Sequence, residues 1–191
     1  MADVFEVLGA DHAGVKAMLS ALEDSPGQAA GADERVLAAR RAVAEQLIIA
    51  SSRHEAAEEQ YFWPAVRDAL GNGNELADTA IAQETAAKEL LARIGKAGVA
   101  DAGLDELIAE FIPAGRAHID FEETRVWPAL REALSPGRAR ELGEKIEDAE
   151  EHGPTRPHPH TPPSPGLLKT AGPAVAAVDR LRDLVTGRTR S

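Results

Sequence analysis

The stretch HEAAEEQYFWPAVRDAL that begins at His54 is echoed by HIDFEETRVWPALREAL beginning at His118, an offset of 64 residues. Histidine, two glutamates, Trp-Pro-Ala and Arg-x-Ala-Leu stay in register. A fainter echo aligns ADHAGVKAML from Ala10 with AQETAAKELL from Ala82, and sets His12 opposite Glu84. A chain repeated in this way reads as a doubled helix pair. Each half offers one polar residue from its first helix and an H-x-x-x-E pair from its second, and i, i+4 spacing turns both members of that pair to one side.

Helices are expected almost throughout. Of the 191 residues, 43% are apolar but only 4% aromatic, and alanine and leucine far outnumber the residues that strands prefer. Phe5, Leu8, His12, Val15, Leu19 and Leu22 form the seam of a first helix, which Ser25-Pro26-Gly27 breaks. A second restarts near Asp33 as N-cap, carries Val43, Leu47, Ala50, His54, Ala57, Glu58 and Tyr61, and stops at Gly71-Asn72-Gly73-Asn74. The third, about Glu75 to Ile94, lines up Ala77, Ala80, Glu84, Ala87, Leu91 and Ile94. The fourth, about Leu104 to Leu134, lines up Leu104, Ile108, Phe111, Gly115, His118 and Glu122. Ser135-Pro136 opens a short, charged fifth helix anchored by Leu142 and Ile146.

The fold class is therefore all-α: an up-down-up-down four-helix bundle with a short fifth helix, spanning residues 1–152. Residues 153–191 read as an appendage. Seven of the 12 prolines fall in 154–173, an extended linker, and Val175, Val178, Leu181 and Val185 mark a small amphipathic helix flanked by Arg180, Arg182, Arg188 and Arg190. Residues 154–191 carry a surplus of four positive charges, whereas the whole chain stands at -11, so the tail is expected to strap onto the acidic bundle. That net charge argues against nucleic-acid binding. No apolar run is long enough to span a membrane, and the start Met-Ala-Asp-Val-Phe-Glu lacks the pattern of a secretion signal, so a cytoplasmic protein is expected.

Cysteine is absent, which leaves nitrogen and oxygen as the only donors for a metal. Three glutamates on inward seams would repel one another unless cations compensate, and imidazole with carboxylate suits iron or manganese. One H-x-x-x-E pair is ordinarily a surface contact. Two in a repeated context, with His12 and Glu84 on seams otherwise apolar, make His12, His54, Glu58, Glu84, His118 and Glu122 the candidate ligands of a two-metal centre. Tyr61 lies one turn beyond Glu58 and is expected to hydrogen-bond a ligand carboxylate, direct metal binding or a redox relay being its other possible roles. Glu59, Glu123 and Asp120 are expected to face solvent, Trp63 and Trp127 to plug the core, and His152, His158 and His160 to lie on solvated or loosely docked chain.

His12, His54-x-x-x-Glu58, a third-helix position and His118-x-x-x-Glu122, each pair followed by Trp-Pro-Ala, resemble the hemerythrin-like, HHE cation-binding family over about residues 3–150. The Pro/His-rich tail resembles that of some actinobacterial members. The resemblance implies a non-haem pair of iron ions with oxo or hydroxo and carboxylate bridges, binding dioxygen, nitric oxide or peroxide. The family pattern has histidine on the third helix where this chain has Gln83-Glu84-Thr85. Either Glu84 substitutes, the reading the repeat favours, or one metal is weakly held or lost. More carboxylate donation disfavours reversible oxygen carriage. The expected function is binding or reduction of small oxidants in sensing or oxidative-stress defence. Catalase-like or ferroxidase turnover, and a metal-stabilised scaffold whose C-terminal tail contacts a protein partner, are the alternatives.

Overall fold

Asp3, Asp33, Asp101 and Ser135 each close a helix start with their side chains, whereas Asn72 makes no such bond ahead of the helix that begins at Gly73. In the computed structural model, which describes residues 2–98, 101–159, 175–180 and 182–183, α1 (Val4–Asp24) opens with a reciprocal cap. Asp3 accepts from the Glu6 backbone while the Glu6 carboxylate accepts from the Asp3 N–H at 2.9 Å. Asp33 caps α2 (Glu34–Ala57), and Ser135 with Pro136 behind it opens α7 (Pro136–His152). Between them lie α3 (Trp63–Ala69), α4 (Gly73–Lys96), α5 (Ala102–Phe121) and α6 (Trp127–Ala133).

The second and fourth long helices are not continuous, as their periodicity suggested. Each widens into one π-helical turn, Glu58–Phe62 between α2 and α3 and Glu122–Val126 between α5 and α6, 64 residues apart like the sequence repeat. The Trp63 N–H reaches back five residues to the Glu58 carbonyl, and that of Trp127 to Glu122. Pro64 and Pro128 follow directly. A proline has no N–H to continue the α ladder and crowds the carbonyl four residues before it, so the turn ahead of it widens at little cost in hydrogen bonds.

α1, α2, α4 and α5 pack in a ring, α3 and α6 touch at one end, and α7 lies along α1 and α2. All the seam positions expected on α1, α4 and α5 are buried. Their apolar members pack into two clusters, one around Leu8, Phe62, Trp63, Val66 and Leu130, the other around Leu19, Leu47, Ile48, Leu91 and Ile108. At about 1.5–3 kcal/mol for each large side chain fully buried, these clusters can carry the cost of a polar layer between them. His12, between Leu8 and Val15 on α1, stands in that layer.

The loop between α1 and α2 contains a 3-10 turn, Gln28–Ala30, and is tied down by buried Arg40. Its guanidinium donates to the carbonyls of Leu22 and Ser25 and to Asp105 of α5. Among the described residues of the tail, 175–180 and 182–183 are helical, but the face turned inward is not the expected one. Ala176, Asp179 and Asp183 are buried, whereas Val178 is 48% exposed. Nor do the arginines alone fasten it. Asp183 accepts from Thr155 Oγ1 at 2.5 Å and from Arg156 at 2.7 Å, and Asp179 meets His158 at 2.8 Å, while Arg180 reaches the His152 carbonyl. The helix's acids close on the basic and hydroxyl groups of residues 155–158, just after α7. His160, most of the proline-rich stretch, Leu181, Val185, Arg188 and Arg190 lie outside the described residues. Among the described residues, no helix is long and apolar enough to cross a membrane.

Candidate metal centre

His12 comes from α1, His54 from α2, Glu84 from α4 and His118 from α5. Glu58 and Glu122 are the first residues of the two π turns. The structure brings all six into the polar layer, each nine-tenths buried or more. They divide into two overlapping quartets, His12–His54–Glu58–Glu122 and Glu58–Glu84–His118–Glu122, in each of which one donor atom per residue lies within 4.8 Å of the others. Glu58 and Glu122 belong to both.

His118 Nε2 stands 2.9 Å from Glu122 Oε1, His12 Nε2 is 3.2 Å from Glu122 Oε2, and His54 Nε2 is 3.4 Å from Glu58 Oε2. Donors held about 2.0–2.2 Å from a common ion lie roughly 3–3.5 Å apart. The donor atoms are also orphans. His12 Nε2, His54 Nε2, His118 Nε2, both oxygens of Glu58 and of Glu122, and Glu84 Oε2 are buried with no hydrogen-bond partner. Eight such atoms facing one space would be costly in a purely structural core. The residues present fit a pair of N/O-liganded cations.

The outer nitrogens of His118 and His12 are held as a ligand histidine requires. His118 Nδ1 lies 3.0 Å from Gln83 Oε1, and His12 Nδ1 lies 3.0 Å from Glu123 Oε1, a carboxylate that Lys16 also contacts at 2.7 Å. A proton on Nδ1 donated to these acceptors leaves the Nε2 lone pair facing inward. Glu84 accepts from the Trp63 indole at 2.5 Å and lies 3.9 Å from Lys88 Nζ. Buried Lys88 in turn meets Glu59 at 2.5 Å and Glu55 at 3.8 Å. Trp127 stacks on His12, rings 4.9 Å apart and 14° from parallel.

Burial pushes Glu58 well above the ordinary carboxylate range, with the Glu122 charge adding to it, and pushes Glu84 up to about 8 against the pull of Lys88. Burial acts the same way on Glu122, but the neighbouring His118 and His12 outweigh it and hold that carboxyl well below its usual value. Burial disfavours the imidazolium forms of His54 and His118, yet Glu58 beside the first and Glu122 beside the second hold both above 6.5.

Several expectations need correcting. Glu59 and Glu123 do not face solvent. Glu59 is buried on Lys88 and Glu123 is half-buried on His12 and Lys16, while Asp120 is exposed as expected. The tryptophans do more than fill space, since both touch a candidate ligand. Tyr61 is half-buried with its hydroxyl accepting from Gln60, because the π turn carries Phe62 and Trp63 onto the inward face one residue later than an α-helix would. The hydrogen bond to a ligand-type carboxylate expected of Tyr61 is seen from Trp63. Sequence reasoning missed Gln83, Glu123 and Lys88. The signal was there in part: Gln83 precedes Glu84, Glu123 follows Glu122, and Lys88 follows Glu84 by one turn.

A helical bundle with two carboxylates shared between two histidine-containing quartets is a candidate dinuclear metal-binding protein. The family model described as the hemerythrin HHE cation binding domain matches residues 3–130, and the chain belongs to that family. It is 27% identical over 141 residues to an uncharacterised hemerythrin-like protein of Schizosaccharomyces pombe, a match covering 73% of this chain and 70% of the yeast protein. It is also similar to the crystal structure of a hemerythrin HHE cation binding domain-containing protein from Mycobacterium kansasii. The TM-score there is 0.65 at 23% identity, covering 94% of this chain and 99% of the other, a likeness of fold.

Proposed function

We propose that residues 1–152 form a non-haem di-iron unit that binds or reduces a small oxidant such as dioxygen, nitric oxide or peroxide. The observation that carries this reading is the sharing of Glu58 and Glu122 by two quartets whose inward atoms are all orphaned. In it Glu58 and Glu122 would serve both positions, His12 and His54 would hold one, and Glu84 and His118 would hold the other. An iron pair so held would supply redox chemistry at a site that otherwise offers none. The chain's own contribution is to fix each donor: Gln83 and Glu123 set the ring orientation of His118 and His12, and Trp63 and Lys88 hold Glu84. Three carboxylates against three histidines favour the oxidised metal, and so favour oxidant consumption or one-way capture over reversible carriage.

Metal content and visible absorption of aerobically purified protein test the reading. Two irons per chain are expected, with both inner positions lost in Glu122→Gln because it belongs to both quartets. His12→Ala and Glu84→Gln each weaken one position and leave the other. An unaltered iron content in Glu122→Gln would refute the assignment, and peroxide consumption beyond one equivalent per site would favour the enzymatic form of the reading.

A further inference from the structure

A third donor cluster lies on the outer side of His54. The imidazole that turns Nε2 inward turns Nδ1 toward Asp11 Oδ2, 3.6 Å away, and Glu150 Oε1, 3.7 Å away. Both distances are too long for a hydrogen bond. They are close to the edge of a tetrahedron of donors about 2.1 Å from an ion, roughly 3.4 Å. All three atoms are buried and none has a hydrogen-bond partner. His54 itself is 6% exposed, so this is an unpartnered imidazole nitrogen aimed into a pair of carboxylates and not a patch of surface acids.

The cluster also has an approach. A cleft of about 380 Å³ between α1, α2 and α7 is lined by Asp11 and Glu150, and Glu147, Glu151 and Arg53 stand in its walls. With four carboxylates against one guanidinium, the cleft concentrates cations. Two of its lining carboxylates, Asp11 and Glu150, are the ones that face the outer nitrogen of His54.

We propose that Asp11, Glu150 and His54 Nδ1 form a transit site, which takes a divalent first-row cation from the cleft before the inner positions are filled. A neutral imidazole has one lone pair. While His54 uses Nδ1 outward its Nε2 carries the proton, and once Nε2 serves an inner ion Nδ1 carries the proton and faces Asp11 and Glu150 as a donor. The two occupancies exclude each other, so the outer site holds its ion only on the way in. The destination rests on the di-iron reading; the outer site itself does not.

The test uses the full-length metal-free chain and Co(II), with uptake followed by visible absorption and final content by elemental analysis. Asp11→Asn/Glu150→Gln is expected to slow uptake about ten-fold, at the lower end of what outer partners of metal ligands are worth, with final content unchanged. Glu122→Gln, which disables both inner quartets, is expected to retain one Co(II), and to lose it when Asp11→Asn/Glu150→Gln is added. Uptake at the wild-type rate in the outer double variant would overturn the proposal, as would a Co(II) in Glu122→Gln that survives the outer substitutions. Lower final content at an unchanged rate would also overturn it, since Asp11 and Glu150 would then only orient His54. Asp11→Asn alone, read by the same rate, covers a double variant that does not fold. Wild-type protein that holds no inner ions, with Co(II) still dependent on Asp11 and Glu150, would defeat the di-iron reading and with it the transit role, while leaving the outer site itself standing.

Discussion

The indole nitrogen of Trp63 donates to Glu84 Oε1 at 2.5 Å, and it reaches that carboxylate because a π turn separates it from Glu58. In an uninterrupted α-helix a residue five positions after Glu58 would be rotated off the inward face.

Trp63→Phe therefore strips a buried carboxylate of its donor. A loss of about 1–3 kcal/mol is expected in the metal-free protein, read by denaturant unfolding. Trp127 gives the contrast. Its Nε1 is buried without a partner and its ring only stacks on His12. Trp127→Phe keeps a stacking ring and removes an unsatisfied N–H, so it should be near neutral. Equal costs for the two substitutions would contradict this account.

Lys88 is the one cation facing Glu84, Glu59 and Glu55 together among the described ion pairs, and those carboxylates hold its pKa up at about 12 although burial opposes its charge. Lys88→Met leaves buried carboxylates uncompensated and should cost about 3–5 kcal/mol. Adding Glu59→Gln should recover part of that loss. Recovery is the informative outcome, because a purely steric defect at position 88 would not respond.

Burial raises Glu84 to about 8 and Glu55 to about 7 from an ordinary 4.5. Groups that hold protons more tightly when folded stabilise most below their unfolded pKa and lose that contribution as pH rises through the folded value. His54 and His118, held above 6.5, act in the same direction. Glu122, held low, loses its contribution only on the acid side of 4.5. The Tm of metal-free protein should thus fall as pH rises from about 5 to about 8. Metal uptake near neutrality should release protons, measurable in weakly buffered solution. A Tm that climbs across this window would be incompatible with the raised groups.

Gly143 of α7 lies against the start of α1. A Cβ there would stand 2.9 Å from the Ala2 carbonyl oxygen and the Asp3 carbonyl carbon, both backbone. Gly143→Ala should displace α7 and cost about 1–3 kcal/mol. Because α7 also carries Glu150, amide exchange should rise along both α7 and the facing turns of α1. Gly137→Ala, with open space around it, is the control.

The candidate ligand layer was legible because a repeat with an offset of 64 placed polar residues on seams whose other members are apolar, and every such seam on α1, α4 and α5 is buried. What lay beyond it was hidden by phase. Periodicity assumes 100° per residue, and one π turn breaks that assumption silently, which is why Tyr61 stood in for Trp63 and Glu59 was assigned to solvent. Pro64 and Pro128 were the visible trace. The tail failed for another reason: hydrophobic spacing chose the Val175–Val178 face, whereas Asp179 and Asp183 found partners at 155–158 that no periodicity reports.

Each quartet draws three residues from one half of the repeat and a single glutamate from the other. Neither half-chain could assemble a complete set alone. Severed in the connection between α3 and α4, the two fragments would have to find each other before either could hold an ion, and two copies of an ancestral half would have met the same requirement as a symmetric dimer. On the proposed reading, the shared carboxylates would make metal possession a property of the pairing of halves, and the covalent link between them a guarantee that the pairing is always made.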